Sequence, residues 1–161
     1  MRQMEWQLSS LDGERVAGGK ASVLVPARAS TLVKTVNVKT HLDSHGPRRL
    51  LMTCALRVRG KVVSSNLVLF ARPKHLELEP PKCRTAVHKA QEGSFTVTLS
   101  ASRPALWAWI ELARTDAMLS NNFVHVMPGQ PVEMLVTPAQ PMTLAAFKRQ
   151  LRVRSLIDTY A

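Results

Sequence analysis

The sequence predicts an all-β protein built from β-sandwich modules. Apolar runs recur about every 8–12 residues, the spacing of short antiparallel strands. Pairs of turn residues, such as Asp12-Gly13, Glu92-Gly93 and Pro128-Gly129, separate these runs. The hydrophobic fraction of 45% supports a real core, which excludes wholesale disorder. The chain lacks the alternation of strands with long helices that is typical of a parallel α/β fold.

The first half of the chain is predicted to form strands joined by short turns. Residues 6–11 lead into Asp12-Gly13, a strong hairpin signal. Residues 50–58 and 62–70 are two long β-rich runs with a short polar turn between them, which predicts a hairpin. Between these two regions come an apolar run, an alternating run typical of a strand and a polar connection: residues 21–25, 31–38 and 41–49.

A proline-rich joint divides the chain. Pro80 and Pro81 follow the strands of the first half, and consecutive prolines stiffen a linker and cannot continue a central strand. We therefore expect a boundary at about residue 79 between two modules, 1–79 and 80–161. A chain of 161 residues is long enough for two small modules.

The second half is predicted to contain strands and one short helix near the C-terminus. Residues 142–150 have apolar residues at helical spacing, and Thr143 is a candidate N-cap. Lys148 and Arg149 suit the C-terminal end of this helix through its dipole. The runs that read as strands are residues 84–89, 94–100, 105–113, 132–136 and 151–156.

Residues 119–131 predict a loop, a short apolar strand and a tight turn. Pro128 pre-sets a φ near −65°, and Gly129 supplies the positive φ that the third position of a type II turn requires. We expect Asn122 to bond the backbone of its own loop and Phe123 to anchor that loop in the core. The stretch holds no residue that does chemistry by itself.

The chain is strongly basic, with 22 Lys and Arg against 11 Asp and Glu and a formal net charge of +11. Such a charge suits a polyanion. Trp107 and Trp109 lie in a stretch of sequence without arginines, whereas binders of single-stranded nucleic acid interleave basic and aromatic residues to stack bases. We therefore predict no nucleic acid partner, and a polyanion-binding domain is the less favoured function.

No export or membrane segment is predicted. No apolar run approaches the roughly 20 residues of a membrane helix, and residues 1–6 lack the apolar core of a signal peptide. A cytoplasmic location is favoured, with no membrane partner. Cys54 and Cys83 match no metal or redox spacing, and two free thiols are favoured over a disulfide between them.

Residues that could carry catalysis or bind a metal do not cluster in the sequence. Glycoside hydrolysis needs two carboxyl groups about 5–9.5 Å apart, but the acidic residues are scattered. No histidine pair stands at i, i+4, no zinc spacing occurs, and no phosphate-binding glycine motif is present. His125 reads as a half-exposed strand position. The sequence therefore predicts no catalytic, cofactor-binding or metal-binding residue.

The strand at residues 105–113 carries the candidate contact residues. With a period of 2, Trp107, Trp109 and Glu111 share one face. Two indoles on one face can make a platform for sugar rings. The favoured interpretation is that they pack in a core or against a neighbouring domain, because exposed paired tryptophans are costly. These three residues are the predicted sugar or interdomain contact.

Four stretches, in order, resemble the C-terminal part of β-mannosidases of glycoside hydrolase family 2. The family usually has Ser-Asp-Asn where this chain has Ser120-Asn121-Asn122, so a carboxylate is missing there. The stretches are Trp6-Gln7-Leu8 with Asp12-Gly13, Ser65–Phe70 with Pro73-Lys74, Ser120–Phe123 with Pro128-Gly129, and Val153–Tyr160.

The resemblance implies two immunoglobulin-like modules in tandem, beside a catalytic (β/α)₈ barrel that holds the catalytic glutamates. The chain alone is expected to be inactive. Its implied role is structural packing against the barrel of an enzyme that removes terminal non-reducing β-D-mannose. The alternative is an independent carbohydrate-binding module that uses Trp107 and Trp109 to bind a mannose-containing oligosaccharide.

The resemblance also implies that the first module begins late. Members of the family carry strands before the position of Trp6, so residues 1–79 are expected to form an N-terminally truncated sandwich. An open sheet edge is a template for pairing with another chain. We therefore expect a homodimer through an open edge of this module.

Overall fold

The structure, a computed structural model, describes residues 2–160. The chain divides into two compact units, Met1–Leu78 and Glu79–Ala161, here called the first unit and the second unit. Both consist mainly of β-strands, which confirms the predicted all-β class.

The first unit is an antiparallel sheet of four strands in the order β2-β1-β3-β4. Its buried residues gather where β1 ends and β3 begins, and include Leu8, Leu11, Leu50 and Leu51. The elements in chain order are β1 (Arg2–Ser10), β2 (Arg15–Ser22), α1 (Lys39–His45), β3 (Leu50–Val58), β4 (Lys61–Leu69) and a short 3₁₀ turn (Pro73–His75).

The two faces of this sheet differ in polarity. In the antiparallel register, Glu5 lies between Lys20 and Ala55, so these side chains share one face. On that face the Glu5 carboxylate pairs with Lys20 Nζ at 2.8 Å and with Arg57 Nε at 2.7 Å. The opposite face is apolar and half-buried, and carries Met4, Trp6, Met52, Cys54 and Leu56.

The long predicted hairpin is confirmed. β3 and β4 pair from Leu51 opposite Leu69 to Val58 opposite Lys61. Arg59 and Gly60 join the two strands with φ values of 49° and 82°. Positive φ at both central residues is the mark of the type I′ turn, whose twist matches that of the flanking strands.

Two segments before this hairpin differ from the prediction. Residues 41–49, predicted as a polar connection, lie partly in α1, and the alternating run at residues 31–38 forms no strand. The chain therefore has a second helix besides the predicted one. α1 has no buried residue, and its Lys39 and Asp43 form an i,i+4 ion pair at 2.6 Å. Such a helix has no apolar face for hydrophobic periodicity to detect.

The second unit is a two-sheet sandwich. One sheet has the order β5-β6-β10-β8, and the other has the order β11-β7-β9. Both sheets contribute to one buried core, for example Val97 and Met134 from the first and Ile110 and Val126 from the second. The elements are β5 (Arg84–Lys89), β6 (Phe95–Ser100), β7 (Ala105–Leu112), β8 (Ala117–Leu119), β9 (Val124–Val126), β10 (Val132–Pro138), α2 (Leu144–Gln150), β11 (Leu151–Arg154) and a short 3₁₀ turn (Leu156–Thr159).

The predicted C-terminal helix is confirmed as α2. The Thr143 hydroxyl accepts a hydrogen bond from the Ala146 N–H at 3.2 Å, so Thr143 is the N-cap. Phe147 is fully buried, and its ring stacks on Phe95 with centroids 4.2 Å apart. Among the described residues of α2, Phe147 is the one that is buried. Its stack on Phe95 therefore holds the helix to the sandwich.

The Pro128-Gly129 turn is also confirmed. Gln130 N–H donates to Met127 O at 3.0 Å, and Gly129 has a φ of 72°, as a type II turn requires. The turn does not close a hairpin within one sheet. It leads from β9, in the three-stranded sheet, to β10, in the four-stranded sheet.

Candidate functional site

The outer face of the three-stranded sheet carries aromatic side chains on neighbouring strands. Ala108 of β7 lies opposite Val124 of β9, and both face the core. The residues beside them therefore point away from the core. These outward residues are Trp107, Trp109, Phe123 and His125.

Trp109 and Phe123 form one aromatic pair on this face. Their ring centroids are 5.6 Å apart and the rings are inclined by 26°, an offset stack. Phe123 is 59% exposed, and Trp109 is half-buried. The pair therefore presents an aromatic surface to solvent.

Trp107 belongs to a different pair. Its ring meets His125 edge-on at 4.9 Å, and its main-chain N–H donates to His125 Nδ1 at 3.2 Å. Burial lowers the pKa of His125, which agrees with a neutral ring accepting this bond. The half-exposed strand position predicted for His125 is confirmed. The two indoles thus do not make one platform, although they share a strand face.

A β-bulge sets the position of Trp107. The pairing of β7 with β9 shifts between Ala105 and Ala108, and Trp107 has a φ of 45°. Ala105 and Ala108 both lie in the core although they are three residues apart, so the simple period of 2 is broken there. Bulges of this kind redirect a side chain.

Asn122 binds a strand rather than its own loop, so the predicted loop contact is wrong. Its Oδ1 accepts a hydrogen bond from the Ile110 N–H at 2.9 Å, and its Nδ2 donates to the Ile110 carbonyl at 3.1 Å. The side-chain amide has the same donor and acceptor as a peptide group, so it continues the ladder of β7 where β9 no longer reaches.

The prediction of Phe123 as a core anchor is also wrong. With Asn122 drawn onto β7, Phe123 adopts a left-handed φ of 53°, and its ring lies outside the core against Trp109. A positive φ is uncommon for a bulky residue and stores backbone strain.

A groove of about 400 Å³ lies next to this pair. We call it the Trp109 groove. Its aromatic wall is Trp109 and Phe123, and Glu111, Asp116 and Asn122 bring polar groups to it. The other lining residues are Ile110, Leu112, Thr115, Ala117, Leu119, Val136 and Leu151.

Glu111 enters the groove and also contacts β11. Its Oε1 lies 3.4 Å from Arg154 Nε, and both side chains are about half exposed, at 47% and 56%. An exposed pair of this length contributes little to stability because water screens it. The Glu111 carboxylate can therefore reorient at small cost.

Metal-binding clusters and reactive thiols are further kinds of site that the described residues could form. No group of three or more His, Cys, Asp or Glu in residues 2–160 is placed to hold a metal ion. Cys54 and Cys83 are free thiols, and burial raises the pKa of both. No helix in this part of the chain is long and apolar enough to cross a membrane.

Sequence reasoning missed two residues of this face. Phe123 and His125 are outward partners of the tryptophans, and their spacing of two along a short strand was the available signal. Asp116 at the groove had no such signal, because it lies in the connection between β7 and β8.

Two family models match the chain and together span nearly all of it. Residues 2–75 match the model of the mannosidase Ig/CBM-like domain. Residues 78–159 match the model of a mannosidase Ig-fold domain. No curated protein sequence matches the chain.

Solved structures with a similar fold include two glycosidases. The β-D-mannosidase of Dictyoglomus thermophilum aligns with a TM-score of 0.71 at 20% identity, over 96% of this chain and 18% of that chain. The exo-chitosanase of Amycolatopsis orientalis aligns with a TM-score of 0.53 at 14% identity, over 96% of this chain and 22% of that chain. The chain thus spans about a fifth of the length of these structures.

Proposed function

The chain belongs to the mannosidase immunoglobulin-like domain family, and from this membership we propose that it is the non-catalytic accessory region of a β-mannosidase-like glycoside hydrolase. Its role is to pack against the catalytic barrel of an enzyme that removes terminal non-reducing β-D-mannose. The observation that carries the proposal is the order of the two matched domains, residues 2–75 and 78–159. The similar fold in the Dictyoglomus β-D-mannosidase, aligned over 96% of this chain, also supports the proposal.

The carboxylates of the Trp109 groove support a non-catalytic role. A general acid in a glycosidase is a carboxyl group kept protonated by an enclosed apolar setting. Glu111 is instead about half exposed and paired with Arg154, and Asp116 is exposed in a connection. Neither has the setting that acid–base hydrolysis requires.

The first unit offers a surface suited to packing. One face of its sheet is polar, with Glu5 bound to Lys20 and Arg57. The other face carries half-buried apolar side chains such as Met4, Met52 and Leu56. A sheet with one apolar and one polar face gains free energy when the apolar face is covered. This asymmetry supports a domain-packing role.

A hydrolysis assay tests the non-catalytic part of the proposal. The purified chain is incubated with an aryl β-mannoside, and release of the chromophore is followed. We expect no turnover above the buffer blank. Turnover that the Glu111→Gln variant abolishes would mean that this chain carries its own active site.

A sedimentation experiment tests the packing role. The chain is mixed with the barrel-containing glycosidase polypeptide of the same source, and its sedimentation is compared with that of each component alone. We expect a faster boundary that contains both polypeptides, and a weaker association for Leu56→Lys on the apolar face. Two boundaries that never merge would refute the packing role.

The predicted homodimer through an open sheet edge stays a prediction. β2 and β4 are the edge strands of the first unit, and Val62 and Val63 on β4 are 50% and 56% exposed. Exposed apolar residues on an edge strand favour pairing with another strand. Light scattering at high concentration measures the mass, and a monomeric value would count against this prediction.

A further inference from the structure

We propose that the Trp109 groove of the second unit binds a pyranose ring of an uncharged oligosaccharide, with the Trp109–Phe123 pair as its stacking surface. This inference goes beyond the proposed function, because packing against a barrel requires no ligand in this groove. The volume of about 400 Å³ lies within the range of small-molecule sites.

The conformation of Phe123 is the first observation that points to a ligand. Its φ of 53° is costly for a bulky residue, and a ring that is 59% exposed recovers little of that cost by burial. The strained backbone brings the ring into an offset stack with Trp109, 5.6 Å away. The fold therefore maintains a solvent-facing aromatic surface that its own core does not use.

The polar groups beside the rings match the other side of a sugar. A pyranose ring has a face of C–H groups, which packs on aromatic rings, and an edge of hydroxyl groups, which needs acceptors and donors. Glu111 and Asp116 supply carboxylate acceptors, and hydrogen bonds to charged acceptors are the stronger kind. The Asn122 amide keeps a second N–H after bonding Ile110.

The charges of the groove favour a neutral ligand over a polyanion. Glu111 and Asp116 both line it, so a phosphate or sulfate group would meet like charge. Arg152 and Arg154 lie opposite Glu111 and Trp109 on the neighbouring strand β11, but neither lines the groove, and Arg154 lies 3.4 Å from Glu111. The formal net charge of +11 belongs to the whole chain, whereas the charged residues that line the groove are acidic.

Calorimetric titration of the full chain with β-1,4-mannotetraose and with cellotetraose tests the proposal. We expect saturable binding of at least one sugar with a millimolar dissociation constant. Trp109→Ala should weaken binding about tenfold or more. Trp107→Phe is the matched control, because that indole lies on the same face but packs on His125 outside the groove. It should keep the affinity within about twofold.

A second variant separates ligand binding from folding. Asn tolerates a left-handed backbone better than Phe does, so Phe123→Asn should retain or raise the stability of the second unit while it abolishes sugar binding. The proposal would be overturned by no saturable heat with either sugar, by equal losses in Trp109→Ala and Trp107→Phe, or by full sugar affinity in Phe123→Asn. Binding of a heparin oligosaccharide at the groove in preference to both sugars would also overturn it. None of these results affects the hydrolysis and sedimentation tests of the packing role.

Discussion

The side-chain amide of Asn122 satisfies both main-chain polar groups of Ile110, at 2.9 Å for the N–H and 3.1 Å for the carbonyl. An asparagine thereby stands in for a strand residue beside β7. The contact joins the loop before β9 to the centre of the second unit, because Ile110 is only 1% exposed. Because Asn122 directly precedes Phe123, the same contact also fixes the backbone position of Phe123 beside β7.

Asn122→Ala should destabilise the second unit by roughly 1–3 kcal/mol, because it leaves two partly buried main-chain groups of Ile110 without partners. Urea unfolding gives the free energy. Asn121→Ala is the matched control, since the Asn121 side chain is exposed and accepts a hydrogen bond from the neighbouring Ser120 hydroxyl. Its effect should stay within about 0.5 kcal/mol. An unchanged urea midpoint for Asn122→Ala would mean that the amide contributes nothing to stability.

Acidification should destabilise the second unit through His125. Its pKa in the fold is lowered by burial, so the unfolded chain takes up the proton first as the pH falls below about 6.5. Stability should be unaffected by this residue above that pH and should fall progressively below it. Protonation at Nδ1 also removes the acceptor for the Trp107 N–H.

The measurement is the free energy of unfolding at about pH 7.5 and about pH 5.5. His125→Gln keeps an acceptor but cannot titrate, so it should lose less stability over this interval than the wild type. His88→Gln, at an exposed position of β5, is the control and should behave like the wild type. Equal pH dependence in wild type and His125→Gln would contradict this assignment.

Glu5 should make the first unit sensitive to acid, at a lower pH than the one at which His125 affects the second unit. Hydrogen bonds from Lys20 and then from Arg57 lower the pKa of Glu5. Its contribution is therefore present above the unfolded pKa of about 4.3 and is lost as the pH falls through the lower folded value. Glu5→Gln should remove that part of the acid dependence. The measurement is urea unfolding of the first unit as a function of pH. Glu14→Gln is the control, and an identical loss in both variants would argue against a special role for Glu5.

Gly19→Ala should destabilise the first unit by about 1–3 kcal/mol, because the new methyl group overpacks the strand surface. A Cβ at this position would lie 2.9 Å from Trp6 Nε1 and 3.2 Å from Trp6 Cε2. The Trp6 indole N–H is buried without a hydrogen-bond partner, so the ring lies directly on β2. The cost of Gly19→Ala should largely disappear in a Trp6→Leu background. The same cost in both backgrounds would place the clash elsewhere.

The sequence predicted those elements that turn residues, a helix cap or a β-rich run mark out. The hairpin of β3 and β4, the Pro128-Gly129 turn and the Thr143 cap each depend on a few adjacent residues. α1 was missed because it buries nothing and is supported by an exposed ion pair. Hydrophobic periodicity does not report on such a helix.

The candidate site was predicted only in part, because its geometry depends on contacts between residues distant in sequence. Trp109 and Glu111 were identified from a period of 2 along one strand, and both line the groove. The bulge that gives Trp107 its own partner and the bonding of Asn122 to Ile110 arise when two strands meet. The sequence of one strand by itself indicates neither the bulge nor the Asn122–Ile110 hydrogen bonds. Phe123 was misplaced for the same reason.

The turn at Pro128-Gly129 has a consequence for how fast the second unit folds. The strands on either side of it enter opposite sheets, and each pairs with a strand far upstream: β9 with β7, and β10 with β6. Non-local pairing slows folding because long loops must close before contacts form. Both sheets therefore depend on the same chain reversal, and we expect the second unit to fold more slowly than a domain of the same size built from local contacts.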